Sequence, residues 1–467
     1  MLTLNRASKS SLTSLPQSLQ SHLLTDNESL QVYGRDWVKH FDIDPSAVVF
    51  PKSIDETIEL VRWAGANRVG LVPSGGRTGL SGGACALSGE VVVSFEKMNR
   101  ILEFDLVDRT VRVEPGVITE QLQEYAKAKG FFYPVDFAAR GSSQIGGNIA
   151  TNAGGVKVLR YGSTREWVAG LKVVTGTGAL LDLNKGLVKN ATGFDLRHLM
   201  VGSEGTLGLV VEAEMRLTQA PHPLRVLVLG VRDLDAIMRV YQEFRNRLPI
   251  TAFEYFSDLA LQTVIDHAHL AAPLASRHPH YVLIEVEQTD SSIEEQTLNL
   301  FETCLENDWA QDGTMSQSET QARELWRLRE DISEATAPFT PYKNDISVTI
   351  SKVPEFLAKT DAILSKHYPD FRVVWFGHIG DGNMHINVLK PGGLGKDEFL
   401  KRCQHVNQLL FDVIEQLQGS VSAEHGVGLV KKSFLSRTRS TEEIELMRMI
   451  KRSFDPLGIL NPGKIFD

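Results

Sequence analysis

An α+β chain of more than one domain is predicted by three observations. The chain has 467 residues, too many for one ordinary hydrophobic core, so two or three domains are expected. Up to about Leu217 it is rich in glycine, with short β-branched runs between glycine clusters. Beyond about Pro221 the glycines thin out, and amphipathic helical patterns alternate with apolar strand-like runs.

Each element has a local reason. Ser10–Leu24 reads as a short first helix, and Ile54–Ala66 as a longer one leading into the apolar run Val69–Val72. Val91–Phe95, Thr110–Val113, Leu171–Val174 and Leu209–Val211 are short and β-branched, the composition of strands. Pro221 and Pro223 mark a boundary. After it, Leu227–Val231 and Tyr281–Val286 read as strands. Leu234–Arg245, Ser292–Glu306, Glu319–Glu334 and Phe399–Leu417 carry apolar residues at helical spacing. Val373–Phe376 and Met384–Leu389 flank a turn built from Gly380, Asp381, Gly382 and Asn383, which predicts an antiparallel hairpin. A helix over Thr441–Phe454 precedes the punctuated tail Asn461-Pro462-Gly463-Lys464. The expected domains are therefore residues 1–220, residues 221–424 and a C-terminal segment, residues 425–467, returning to the first.

Composition excludes several classes. Hydrophobic residues make up 42% and charged residues 23%, as in an ordinary globular protein. A net charge of −9 argues against a nucleic-acid binder. Three distant cysteines, Cys85, Cys304 and Cys403, give no disulfide framework and no iron–sulfur motif, so a reducing compartment is expected. No apolar run is long enough to span a bilayer. Arg6 and Lys9 among serines, with no acid before Asp26, give a faint likeness to a transit peptide; no secretory h-region is present.

Three glycine clusters carry the first functional signal. Pro73-Ser74-Gly75-Gly76-Arg77-Thr78-Gly79-Leu80 can turn several backbone N–H groups toward one anion. It lacks the Gly-Lys-Ser/Thr ending of a Walker loop, and it does not open a long helix as a Rossmann fingerprint would. Gly141–Gly155 and Gly202–Gly208 offer two more surfaces where main chain can lie against a flat ligand. Three such surfaces suit a long dinucleotide.

The second signal is Gly377-His378-Ile379-Gly380-Asp381-Gly382-Asn383-Met384-His385-Ile386-Asn387. A tight hairpin sets His378 and His385 side by side, and strand alternation puts Asn387 on the face of His385. Glu424-His425 adds a carboxylate that can complete a His₂–carboxylate metal site, and an imidazole suited to act as a base. The plainer alternative for that pair is a surface acid beside a core-edge histidine. Arg329 and Ser333 are i,i+4 neighbours on the Glu319–Glu334 helix, and Tyr342-Lys343-Asn344-Asp345 follows. Two cations in one pocket fit a dicarboxylate; the plainer alternative pairs Arg329 with Glu330 or Asp331.

In this order, the clusters resemble the flavin-binding domain of the vanillyl-alcohol-oxidase superfamily. Within it they resemble the FAD-dependent D-2-hydroxyacid dehydrogenases, and Arg329, Ser333 and Tyr-Lys-x-Asp look like the D-2-hydroxyglutarate dehydrogenase pattern, although that pattern has Thr at the position of Ser333 and one more residue before the lysine. The resemblance runs from Tyr33-Gly34-Arg35-Asp36 to Lys464. It implies a two-subdomain FAD-binding domain plus an antiparallel-sheet substrate (cap) domain. Pro73, Ser74, Gly75, Gly76, Arg77, Thr78, Gly79 and Leu80 would hold the pyrophosphate of a non-covalent FAD. Gly141, Ser142, Gly146, Gly147, Asn148, Thr151, Asn152 and Gly154, with Glu204, Gly205 and Val210, would hold its isoalloxazine and adenine portions, and Asn461 would join them. His378, His385 and Glu424 would bind a metal, Zn²⁺ first and Mn²⁺ or Co²⁺ as alternatives. His425 would be the base, and Arg329, Ser333, Lys343 and Asn387 would bind substrate.

The activity implied is oxidation of D-2-hydroxyglutarate, and of D-malate, to the 2-oxo acid. Alternatives within the superfamily are a D-lactate dehydrogenase or glycolate oxidase flavoprotein subunit, and a non-redox enzyme like alkylglycerone-phosphate synthase. Reduced FAD would pass electrons to electron-transfer flavoprotein or a quinone-linked acceptor. The expected location is the cytoplasm, or the mitochondrial matrix in a eukaryote. A homodimer is compatible with all of this.

Overall fold

The computed structural model describes residues 3–39 and 41–466. Two compact units emerge: residues 1–154, 162–220 and 424–467 form one, and residues 155–161 with 221–423 form the other.

The first unit holds two principal sheets. Ala47–Val49, Val91–Ser94 and Leu71–Ser74 run parallel in that order, with Leu23–Leu24 added antiparallel at one edge. These strands are apolar on both faces because both are covered, as parallel pairing requires. Helix Ile54–Asn67, capped by the Ser53 side chain on Glu56 N, supplies Leu60, Val61 and Ala64 to that core. The second sheet is antiparallel, in the order Ile101–Asp105, Thr110–Val113, Leu209–Arg216, Val168–Val174 and Leu180–Leu183. Helices Thr119–Ala128 and Ile145–Thr151 cover it. The C-terminal tail is tied in: Asn461 N donates to Leu71 O at 2.8 Å and Leu71 N to Ile459 O at 2.7 Å.

The expected Ser10–Leu24 helix is broken. Pro16 cannot continue a helix, so Lys9–Leu12 and Gln17–Gln20 form separate turns and Leu23–Leu24 joins the sheet. Helix Thr441–Phe454 has its expected bounds, opened by a Ser440/Glu443 capping box.

The second unit is one seven-stranded antiparallel sheet, ordered Asp312–Met315, Leu224–Val231, His280–Glu287, Ile250–Ser257, Arg372–His378, Asn383–Leu389 and Tyr342–Ser347. The first four strands, with helices Leu234–Arg247 and Ile293–Glu306, make a split β-α-β-β-α-β motif. The expected Glu319–Glu334 helix is interrupted at Asp331, giving Glu319–Glu330 and Ile332–Thr336. Trp326, Leu328, Ile332 and Ala335 from this pair pack into the same core as Val226, Leu283, Phe256 and Phe376 from the sheet. Among the described residues no helix is long and apolar enough to cross a membrane.

Candidate active site

In the first unit the three glycine clusters converge through close main-chain approach. A Cβ on Gly76 would lie 2.1 Å from Ser142 O, and one on Gly205 2.5 Å from Pro73 Cγ. Gly75 faces Gly147, whose own Cβ position is open space. Arg77 and Glu204 take left-handed backbone conformations to make these turns. Two polar atoms here are buried and unpartnered: Gln144 Oε1, beside Gly75, and Asn461 Oδ1. Main chain exposed by glycine beside orphaned polar atoms fits a flat, polar ligand such as FAD.

Several side chains expected at the cofactor are committed to the protein. Arg77 pairs with Glu96 at 2.9 Å and lies over the Tyr33 ring. Asn148 donates to Thr119 Oγ1, Thr151 to Gly147 O, and Asn152 accepts from Ser163 and the Arg165 N–H. Val210 is in the core of the antiparallel sheet. Asn461 Nδ2 donates to the carbonyls of Gly83 and Glu204. The Glu204 carboxylate accepts the N–H groups of Val427 (2.7 Å) and Gly428 (2.8 Å), which fixes the turn that follows His425. Burial pushes the Glu204 carboxyl up to about 7, against those two hydrogen bonds.

In the second unit the functional side chains share one face of the sheet. Asn383, His385 and Asn387 alternate along their strand, opposite Ser347, Asp345 and Lys343 on one side and His378, Phe376 and Val374 on the other. The register corrects one expectation: His378 pairs with Asn383 and His385 with Phe376, so the two imidazoles are diagonal neighbours. Their ring centroids are still 5.5 Å apart, nearly perpendicular. The turn is Ile379–Gly382, with Asn383 already in the strand. Gly382 is required there: its φ is +86°, and a Cβ would strike Val348 O at 2.1 Å.

Glu424 and His425 lie in irregular chain, so strand alternation does not govern them. Ser420, four residues earlier, is anchored by two backbone hydrogen bonds to Ser347. His378 and His385 stand together in the second unit, and Glu424 and His425 open the segment that returns to the first. Two imidazoles and a carboxylate are a donor set suited to a divalent metal.

Arg329 is 5% exposed and its guanidinium lies 4.9 Å over the Phe376 ring. It does not pair with Glu330 or Asp331; Arg327 takes Asp331. Its ion-pair partner is Glu254, at 2.8 Å, while Nε and that terminal nitrogen meet no well-aligned hydrogen-bond acceptor. Buried donors left over in this way fit an incoming carboxylate. Asn387, 1% exposed, donates to Thr336 Oγ1 at 3.4 Å. Ser333 is half-buried on the turn between Arg329 and Thr336. Lys343 pairs in register with Asn387, and burial holds its ammonium below the ordinary lysine value.

The sequence reading missed Glu254. It comes from the neighbouring Ile250–Ser257 strand, is 1% exposed, and accepts from His378 Nδ1 at 2.8 Å. Burial would raise its pKa, but the facing charges of His378 and Arg329 outweigh burial and hold it down. In sequence it is one acid inside Ala-Phe-Glu-Tyr-Phe; an acid in an apolar strand was the available sign.

Glycine-built main-chain surfaces in one unit and a buried imidazole, carboxylate and guanidinium cluster in the other fit a flavin-dependent oxidoreductase, the class to which the comparisons lead. A model of the FAD binding domain matches residues 45–184, and one described as "FAD linked oxidases, C-terminal domain" matches residues 220–465. The chain belongs to the FAD-linked oxidase family. It is 59% identical over 444 residues to a D-2-hydroxyglutarate dehydrogenase of Stutzerimonas stutzeri, covering 95% of this chain and 96% of the relative. It is 54% identical to the D-2-hydroxyglutarate dehydrogenase of Xanthomonas citri pv. viticola, covering 98% and 97%. An alkyldihydroxyacetonephosphate synthase structure matches 99% of this chain and 86% of its own, with TM-score 0.76 at 18% identity; that likeness concerns the fold, which is of the vanillyl-alcohol-oxidase type.

Proposed function

We propose that this chain is an FAD-dependent D-2-hydroxyglutarate dehydrogenase that also accepts D-malate. The observation that carries the reading is the buried Arg329 guanidinium, with donors to spare, on the sheet face that bears His378 and His385. The identity to the two bacterial dehydrogenases supports it.

The three glycine clusters would hold FAD, which supplies a hydride acceptor, and His378, His385 and Glu424 would hold Zn²⁺, which supplies Lewis acidity toward a hydroxyl. Arg329 binds one substrate carboxylate as a fork, with Ser333 adding a hydroxyl. Lys343 and Asn387, opposite each other across the strand pair, bind the other polar end. Gripping both ends fixes C2 for hydride loss. His425 takes the C2-hydroxyl proton as the 2-oxo product forms. Bound FAD would also supply a route for the electrons to electron-transfer flavoprotein or a quinone-linked acceptor. A homodimer in the cytoplasm completes the proposal.

The test is anaerobic reduction of the flavin by D- and L-2-hydroxy acids, before and after chelation. Fast bleaching by D-2-hydroxyglutarate that chelator abolishes is expected. Preference for D-lactate or glycolate would sink the dicarboxylate assignment, and no bleaching by any acid would favour the non-redox alternative.

A further inference from the structure

Glu254 touches two machines at once. Both its oxygens lie 2.8 Å from His378 Nδ1, and one lies 2.8 Å from an Arg329 terminal nitrogen. It is fully enclosed, so water does not screen its charge. Because Nδ1 of His378 is taken, Nε2 is the nitrogen that can meet a metal. A single negative charge is therefore divided between an imidazole assigned to the metal and a guanidinium assigned to a carboxylate.

We infer that Glu254 is a positioning residue that sets metal affinity and carboxylate affinity in opposite directions. This rests on the function proposed above. Charge drawn toward His378 makes the imidazole a better donor to a metal. The same charge at Arg329 competes with an incoming carboxylate for the guanidinium. Nothing else among the described residues forms an ion pair with Arg329, so the competition is direct.

Glu254→Gln separates the effects. The amide oxygen can still accept from Nδ1, preserving the tautomer, while the charge is lost. Zn²⁺ affinity, read by competition with a chromophoric chelator, should weaken about 10- to 100-fold. Affinity of the metal-free holoenzyme for glutarate, read by calorimetry, should tighten by about three- to ten-fold, because Arg329 has lost its competitor. A merely structural role predicts that both affinities fall together. Loss of both, or change in neither, overturns the inference.

If the Gln variant does not fold, His378→Gln tests the link from the other end. Without the imidazole, the full Glu254 charge rests on Arg329, so glutarate should bind the metal-free protein several-fold more weakly than it binds metal-free wild type. Unchanged binding overturns the coupling. Failure of the wild type itself to bind Zn²⁺ or glutarate would instead overturn the proposed function.

Discussion

In the first unit, the proposed cofactor surface is made by what is missing: the absence of a Cβ lets Gly75 and Gly76 lie against the main chain of Gly147 and Ser142, lets Gly205 lie against the Pro73 ring, and leaves open space at Gly147. In the second unit the surface is made by what is added: His378, His385, Asn387 and Lys343 project from paired strands onto one face. A main-chain surface recognises a ligand by shape and N–H groups and has little chemistry of its own. A side-chain surface on a rigid sheet can place charge to within a fraction of a residue. On the proposed reading, binding a cofactor and transforming a substrate fall to different kinds of architecture, and each should break without the other.

The sharpest break is at the proposed metal ligands. His378→Ala removes one of the three proposed ligands and the partner of Glu254. Turnover of D-2-hydroxyglutarate should fall by about three orders of magnitude, the scale of several kcal/mol of lost charge stabilisation. Bound Zn²⁺ should fall with it, while FAD content stays at the wild-type level. Parallel loss of FAD would show that the two surfaces are not separable.

Next in size is a pH effect confined to the glycine-built unit. Glu204 is buried and its carboxyl is raised to about 7, above the ordinary glutamate value. A raised carboxyl contributes stability that is fully present below the unfolded pKa and is lost as pH rises through the folded one. The apoprotein should therefore lose up to about 3 kcal/mol between pH 4.5 and 8 from this group. Denaturant midpoints across that range should slope downward in the wild type and flatten in Glu204→Gln. A flat wild-type profile would mean that the N–H groups of Val427 and Gly428 outweigh burial.

Back in the second unit, on helix Glu319–Glu330, Arg329→Ala should raise KM for D-2-hydroxyglutarate about 10- to 100-fold, the worth of one charge-assisted fork. Arg329→Lys should recover only part of it, because an ammonium cannot fork and does not stack on Phe376 in the same way. Equal KM values for both variants and wild type would remove Arg329 from the substrate site.

The same comparison explains what could be read from the chain. The glycine clusters are legible because density of one residue type is a local property, and helix Thr441–Phe454 because its cap and periodicity are local too. His378, His385 and Asn387 are legible because strand alternation is a fixed rule. The diagonal register of the two imidazoles was not, since turn length decides it and Asn383 joined the strand. The break at Asp331 was not, because the helical pattern runs through it. Glu254 was hidden for a deeper reason. Its partners lie 75 and 124 positions away: pairing of Ile250–Ser257 with Arg372–His378 brings His378, and packing of helix Glu319–Glu330 brings Arg329.

The smallest effect probes the cleft itself. Gly147 lies in the short helix Ile145–Thr151, with nothing within 4 Å of where a Cβ would stand. Within the protein alone, Gly147→Ala removes backbone freedom from the unfolded chain and adds a better helix former. The apoprotein should gain about 0.5–1 kcal/mol, read from the denaturant midpoint. If the open space is where FAD lies, the same methyl should cost affinity for the cofactor, read by flavin fluorescence on titration. A gain in apo stability with loss of FAD affinity would separate a glycine kept for a ligand from one kept for packing, such as Gly76. A gain in stability with unchanged affinity would move the cofactor away from this helix.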